Sequence, residues 1–195
     1  DGWSGDFNNL TVTRLDTTLE ISSTVAFTLS GKGGADNERL DTFQNQVANV
    51  SSLPDRSKHH REVKILNTSG SEDTYHSRFI ADDGVSGTGY WEEYIAPDVS
   101  PGLTASTMPH ELFNSATNTF VFRPITWINR LVGDDTTNSH PSFVGKKIQQ
   151  AFFHSSRLGF LVDDNVSMSQ TNEFYNFYHV SAMTQIASDP VDLST

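Results

Sequence analysis

The chain has 195 residues, 35% of them apolar, no cysteine and a formal net charge of −11. That length holds one sizeable core or two small ones, and the lack of cysteine excludes a disulfide-stapled module, thiolate metal sites and a cysteine nucleophile. The acidic balance, with its densest basic run at Arg56–Lys64, argues against tight DNA binding by phosphate neutralisation, and no apolar run reaches the ~18 residues of a membrane span.

Low apolar content with abundant Ser and Thr favours β-structure over a helical bundle. The chain opens Asp1-Gly2-Trp3 with no signal peptide visible, which predicts that the native N-terminus lies upstream. Residues 1–107 read as a β-rich, α+β domain. Leu10–Leu15 and Leu19–Ser23 alternate as strands about Asp16-Thr17-Thr18, and Val25–Ser30 is predicted to continue the sheet before Gly31-Lys32-Gly33-Gly34. Asp36 is placed to cap a short helix over Asn37–Gln44, with Leu40, Phe43 and Val47 on one face. Val47–Leu53 reads equally well as helix or extended chain, and Pro54 ends it. Glu62–Leu66 and Thr74–Ile80 are predicted strands around an Asn67–Asp73 turn. Asp82–Gly89 reads as a long loop, Tyr90–Ile95 as a third strand and Ala96–Gly102, with two prolines, as a connector.

Residues 108–195 read as a β-propeller blade segment. Asn118–Phe122 and Ile125–Asn129 are strand-like, and Val132–Ser139 is predicted to be a polar, mobile loop. The runs Gln150–His154, Leu158–Val162 and Val166–Ser169 are separated by the turn chemistry of His154-Ser155-Ser156-Arg157 and Asp163-Asp164-Asn165, and Phe174-Tyr175-Asn176-Phe177-Tyr178 closes the unit as an aromatic plug. A meander of this size buries both faces only by stacking on neighbours. The expected fold is therefore mainly β, one or two blades of a propeller carrying an inserted β-rich or α+β domain, and a piece of something larger.

Seven histidines raise the question of a metal. Adjacent His59 and His60 would face opposite ways on a strand and splay on a helix, and neither arrangement chelates well. His110-Glu111 begins like a zinc-protease helix, but the second histidine would fall at Asn114. The carboxylate pairs Asp82/Asp83, Glu92/Glu93, Asp134/Asp135 and Asp163/Asp164 would serve glycoside hydrolysis only if held across a cleft, and three of them sit where turns want Asp. Gly33-Gly34-Ala35-Asp36 is one copy of what a calcium-binding β-roll repeats, so it reads as a turn. Asn-x-Ser/Thr triplets at Asn9, Asn49, Asn67 and Asn165 occur about as often as chance. With no nucleophile elbow or phosphate loop, no catalytic, metal or cofactor residue is assigned. Arg157 stands apart because it opens a strand where its guanidinium can pair with Asp163, Asp189 or Asp192, or stack on Phe174 or Tyr175. An ion-pair staple is the first reading and a subunit contact the second.

The succession Thr107-Met108-Pro109-His110-Glu111-Leu112, Pro141-Ser142-Phe143-Val144-Gly145, Phe152-Phe153 and Arg157-Leu158-Gly159-Phe160-Leu161 resembles the nozzle, or tail tubular B, family of short-tailed phages. Val166-Ser167-Met168-Ser169, Phe174-Tyr175-Asn176-Phe177-Tyr178 and Asp189-Pro190-Val191-Asp192 continue it, so that it covers residues 103–195. Ser52-Leu53-Pro54, Val63-Lys64-Ile65, Tyr75–Phe79 and Tyr90-Trp91-Glu92-Glu93 follow more loosely, and residues 1–50 weakly. Family proteins are several times longer, and residues 123–139 depart from the pattern apart from Trp127. The resemblance implies a structural tail protein in the virion, assembled in the host bacterial cytoplasm as a hexameric ring. Its implied partners are copies of itself, an adaptor ring protein, a tail fibre protein and viral double-stranded DNA passing through the lumen without tight binding. It implies no catalytic set, and it makes Arg157, Phe160, Phe174, Asn176, Phe177, Asp189 and Asp192 structural or interface residues. Two rivals remain at this stage. One is a glycan-binding or glycan-hydrolysing tail domain, supported by the acidic pairs and by Trp3, Trp91 and Trp127; the other is a solitary adhesion module in which residues 140–195 fold alone.

Overall fold

The computed structural model describes residues 9–15, 18–29, 42, 44–67 and 74–194. They fold mainly as β-sheet, and helix among them is confined to 3-10 turns such as Val50–Ser52 and Ala105–Thr107. The helix predicted over Asn37–Gln44 falls, apart from Thr42 and Gln44, outside the described residues. Contacts divide the chain into two compact units, Asp1–Glu92 and Glu93–Thr195.

In the first unit, β1 (Leu10–Leu15) and β2 (Thr18–Ser23) form an antiparallel hairpin. Residues 25–29, expected to extend that sheet, join no ladder, and Val25, Phe27 and Leu29 are exposed. A second sheet has the order β3-β5-β6-β7-β4, built from β3 (Gln46–Val47), β4 (Arg56–Lys58), β5 (Glu62–Ile65), β6 (Tyr75–Ala81) and β7 (Ser86–Tyr94). The predicted loop Asp82–Gly89 is instead a tight turn that lets β7 start early. Asp83 Oδ1 accepts the Val85 and Ser86 N–H groups at 2.7 and 2.9 Å, and Gly84 takes φ +73°. Those two bonds hold the Asp83 carboxyl below the usual carboxylate range.

This sheet cannot be flat. Its strand β5 and its end strand β4 are bonded at Glu62↔Arg78 and Lys58↔Ser86, yet residues 58–61 are closed by Arg61 N–H donating to Lys58 O at 3.1 Å. Such a turn spans less than ~7 Å, whereas β5 and β4 flanking β6 and β7 in a flat sheet would be ~14 Å apart. The sheet accordingly curls into a half-barrel. Inside it Val47, Val63 and Ile65 are buried with Leu53, Tyr75 and Trp91 packed against them, and Phe79 meets Trp91 edge-on at 5.2 Å.

In the second unit, β8 (His110–Ala116) and β9 (Thr119–Pro124) make a hairpin turned through Asn118 at φ +62°. The strands β10 (Gln150–His154), β11 (Arg157–Val162), β12 (Asn165–Met168) and β13 (Val191–Ser194) form a four-stranded antiparallel meander. Ser155 and Ser156 both sit at positive φ, +49° and +60°, which gives the β10–β11 hairpin the twist of a primed two-residue turn. Gly159 leaves room for the Phe152 ring, which a Cβ there would force to move. The core is aromatic: Phe160 stacks on Phe177 at 5.5 Å, and Phe143 meets both edge-on at 5.1 and 5.0 Å. Met108, Ile125, Trp127, Leu158 and Val162 complete it.

Two expectations are corrected here. Ile125–Asn129 is not a paired strand; Ile125 and Trp127 point into the core while Ile128 N–H donates to Tyr175 O at 3.0 Å. Val132–Ser139 is not a loose loop. Val132, Gly133 and Asn138 are buried, and Asp134 Oδ1 accepts the N–H groups of Thr136 and Thr137 at 2.8 and 2.9 Å.

Candidate functional site

The polar residues singled out in the sequence gather around the β10–β13 meander. Arg157, at the start of β11, is buried, and its guanidinium donates to three backbone carbonyls: Ser169 and Asp189 at 2.6 Å each and Ala187 at 2.8 Å. The expected pairing with a carboxylate or stacking on Phe174 or Tyr175 is replaced by this carbonyl cage. A planar five-donor fork suits three carbonyls converging from two segments. Asp189 is buried too, with Oδ2 accepting Ile186 N–H at 2.9 Å and lying 3.6 Å from His179 Nδ1.

Asp192, on β13, makes a clasp across the unit. Oδ2 accepts Ser142 N–H at 2.6 Å, and Oδ1 accepts the hydroxyls of Ser142 and Ser167 at 2.6 and 2.7 Å. Asn176 Oδ1 accepts Tyr178 N–H at 3.0 Å and its amide donates to Gln170 at 2.6 Å, fixing the bend that sends Phe177 into the core. Phe160 and Phe177 are core residues. Phe174 is not: it is exposed and meets the more exposed Phe153 edge-on at 5.6 Å.

Sequence reasoning missed Arg130. Its side chain is fully buried and donates to the carbonyls of Ser100 and Asn138 at 2.7 Å each, to Asp134 O at 3.1 Å and to Asp135 Oδ1 at 2.8 Å. Asn138 completes the anchorage by donating to the carbonyls of Val132 and His179 and accepting His179 N–H. Burial pushes the neighbouring Tyr178 phenol up to about 12, although Arg130 opposes it, and the phenol oxygen lies 2.6 Å from His140 Nδ1. The only sequence signal was an arginine between Asn129 and Leu131, which any surface segment can carry.

Asn118–Phe122 was expected as a strand and is most of β9, but its partner β8 and the hairpin they form were missed. The hairpin's base is tied down by Glu111, which accepts Tyr175 O–H and Arg123 Nε–H, each at 2.7 Å. Those bonds, the tyrosine's first, hold Glu111 below the ordinary carboxylate value of 4.5 and push Tyr175 up. A depressed carboxylate contributes stability that is complete above its unfolded value and lost as pH falls through the folded one. The hairpin ladder is therefore expected to lose hydrogen-exchange protection as pH drops below about 4.5, and Glu111→Gln should flatten that pH dependence.

Among the described residues no group of three or more His, Cys, Asp or Glu is arranged to hold an ion. His59 and His60 occupy a turn, with His60 at φ +62°, so their rings lie 3.8 Å apart instead of splaying. Glu92 pairs with Arg78 at 2.8 Å, whereas Glu93 accepts Ser181 Oγ–H and Ala182 N–H at 2.7 Å each. Trp127 is buried and half-buried Trp91 donates to Pro54 O, which removes two of the aromatics a glycan would need; Trp3 lies outside the described residues.

Residues 2–195 match the bacteriophage nozzle protein family. The chain belongs to that family. It is also similar to tail tubular protein gp12 of Escherichia phage T7, with 32% identity over 164 residues, covering 84% of this chain and 20% of that protein. The chain thus spans about a fifth of the length of this curated relative. As a nozzle-family member it is a structural phage tail protein. Its buried arginines and Asp189 hold separate backbone segments together.

Proposed function

We propose that this chain is part of a nozzle ring at the distal end of a short phage tail, through whose lumen the DNA leaves. In this reading β10–β13 is one propeller blade, and residues 1–107 are a domain inserted ahead of the blade segment at 108–195. The observation that carries it is the four-stranded antiparallel meander, held by the Arg157 cage and the Asp192 clasp, in a chain of the nozzle family. A blade has neighbours on both faces, and an exposed Phe153 on β10 fits a sheet that expects one.

The net charge of −11 supports a conduit that does not hold what it conducts. Screening over about 8 Å leaves like charges felt across a narrow lumen. The expected partners are further copies in a hexamer, an adaptor ring protein above and a tail fibre protein at the side, after assembly in the host cytoplasm. Expression of the full-length protein tests this: native mass should be that of a hexamer, with retention on the adaptor ring. A full-length monomer blind to that ring would sink the reading.

A further inference from the structure

We propose that the β8–β9 hairpin is the arm by which one copy of this protein grips the next, its outer face buried against a second copy. The inference rests on the ring reading and adds the surface through which copies meet. Strand alternation and register put His110, Leu112 and Asn114 on one face with Phe120, Phe122 and Pro124. Leu112 and Phe122 stand directly opposite each other, and Leu112, Phe120 and Phe122 are 67%, 60% and 71% exposed. The reverse face carries Phe113 and Val121, which are also exposed. The reverse face is partly engaged through Glu111 and Tyr175, whereas contiguous apolar surface like that of the outer face marks an interaction site.

Charge identifies the occupant. Two copies at −11 repel wherever acid meets acid. The hairpin's only ionised side chains at neutral pH, Glu111 and Arg123, pair with each other at 2.7 Å, so the arm is net neutral. It offers like-charged copies a surface they can share without bringing carboxylates together. The outer face's three large apolar side chains, Leu112, Phe120 and Phe122, with roughly 100 Å² uncovered on each, present about 300 Å² against the ~800 Å² per partner of a standard interface. That is the apolar centre of a contact whose polar rim supplies the rest. A closed ring also needs a heterologous contact, in which a protruding arm meets a different surface on the next copy.

The test uses the full-length protein. The double variant Leu112→Ser, Phe122→Ser should weaken ring assembly at least about 10-fold by sedimentation while leaving protomer melting unchanged. Wild-type rings with equally stable variant rings would overturn this proposal alone, whereas a wild-type monomer would overturn the ring reading with it. Should the variant fail to fold, the photo-crosslinking amino acid p-benzoylphenylalanine at position 122 decides. Crosslinks into a neighbouring subunit support the arm; crosslinks confined to the same chain, or none, overturn it.

Discussion

Arg157→Met should destabilise the second unit by about 3–5 kcal/mol, read as a shift of the urea-unfolding midpoint of the full-length protein. Methionine keeps the aliphatic stem packed where arginine ran, so the loss isolates the guanidinium. Three charge-assisted hydrogen bonds disappear, and the carbonyls of Ser169, Ala187 and Asp189 lose the donor that satisfies them. A charge-assisted bond contributes about 1.5–3 kcal/mol and an orphaned buried group costs about 1–3 kcal/mol, less what is regained by no longer burying a cation. Arg157→Lys should recover only part, because an ammonium cannot fork to carbonyls on two segments. A shift under about 1 kcal/mol for methionine would mean that the cage is decorative.

Arg130→Met should have a similar effect, about 3–5 kcal/mol, and it separates two kinds of bond in one residue. Three of its partners are the carbonyls of Ser100, Asp134 and Asn138; the fourth is the carboxylate of Asp135, which is 72% exposed. A partner that open to water adds little, so Asp135→Asn should cost less than about 1 kcal/mol. The carbonyl bonds carry the effect because they hold the whole 132–139 segment onto the core. The check is a side-by-side unfolding series. Equal losses for Arg130→Met and Asp135→Asn would reassign the stability to the ion pair.

The parts of the fold visible in the sequence were those whose local chemistry coincides with their tertiary role. The β10, β11 and β12 strands were legible because Ser155-Ser156 and Asp163-Asp164 are turn formers at positions that need positive φ or an early stop. Phe160 and Phe177 are packing residues, as read, but density alone did not tell them from Phe174 of the same aromatic run, which is exposed. The failures share a cause. In Ile125–Asn129 the alternation reported burial correctly but said nothing of pairing, because the ladder partner is set by the rest of the chain. In Val132–Ser139 polarity was read as exposure, although those polar groups bond inward to Arg130 and to one another. β8 was overlooked because its hydrophobic residues point away from any core, against the pattern by which strands are recognised. β13 follows a proline and is only four residues long, so it becomes a strand only when β12 is already there.

The Asp192 clasp joins residues 50 positions apart. Closing a free loop of that length costs about 3.5 kcal/mol in chain entropy. Three bonds to a solvent-exposed carboxylate return roughly the same amount, so the clasp alone is close to break-even. It becomes favourable only once β10–β13 have shortened the path between its ends. Its formation is therefore conditional on every strand between them being in register, which makes the clasp a proofreader of the meander: a chain with one strand missing or slipped forfeits all three bonds together.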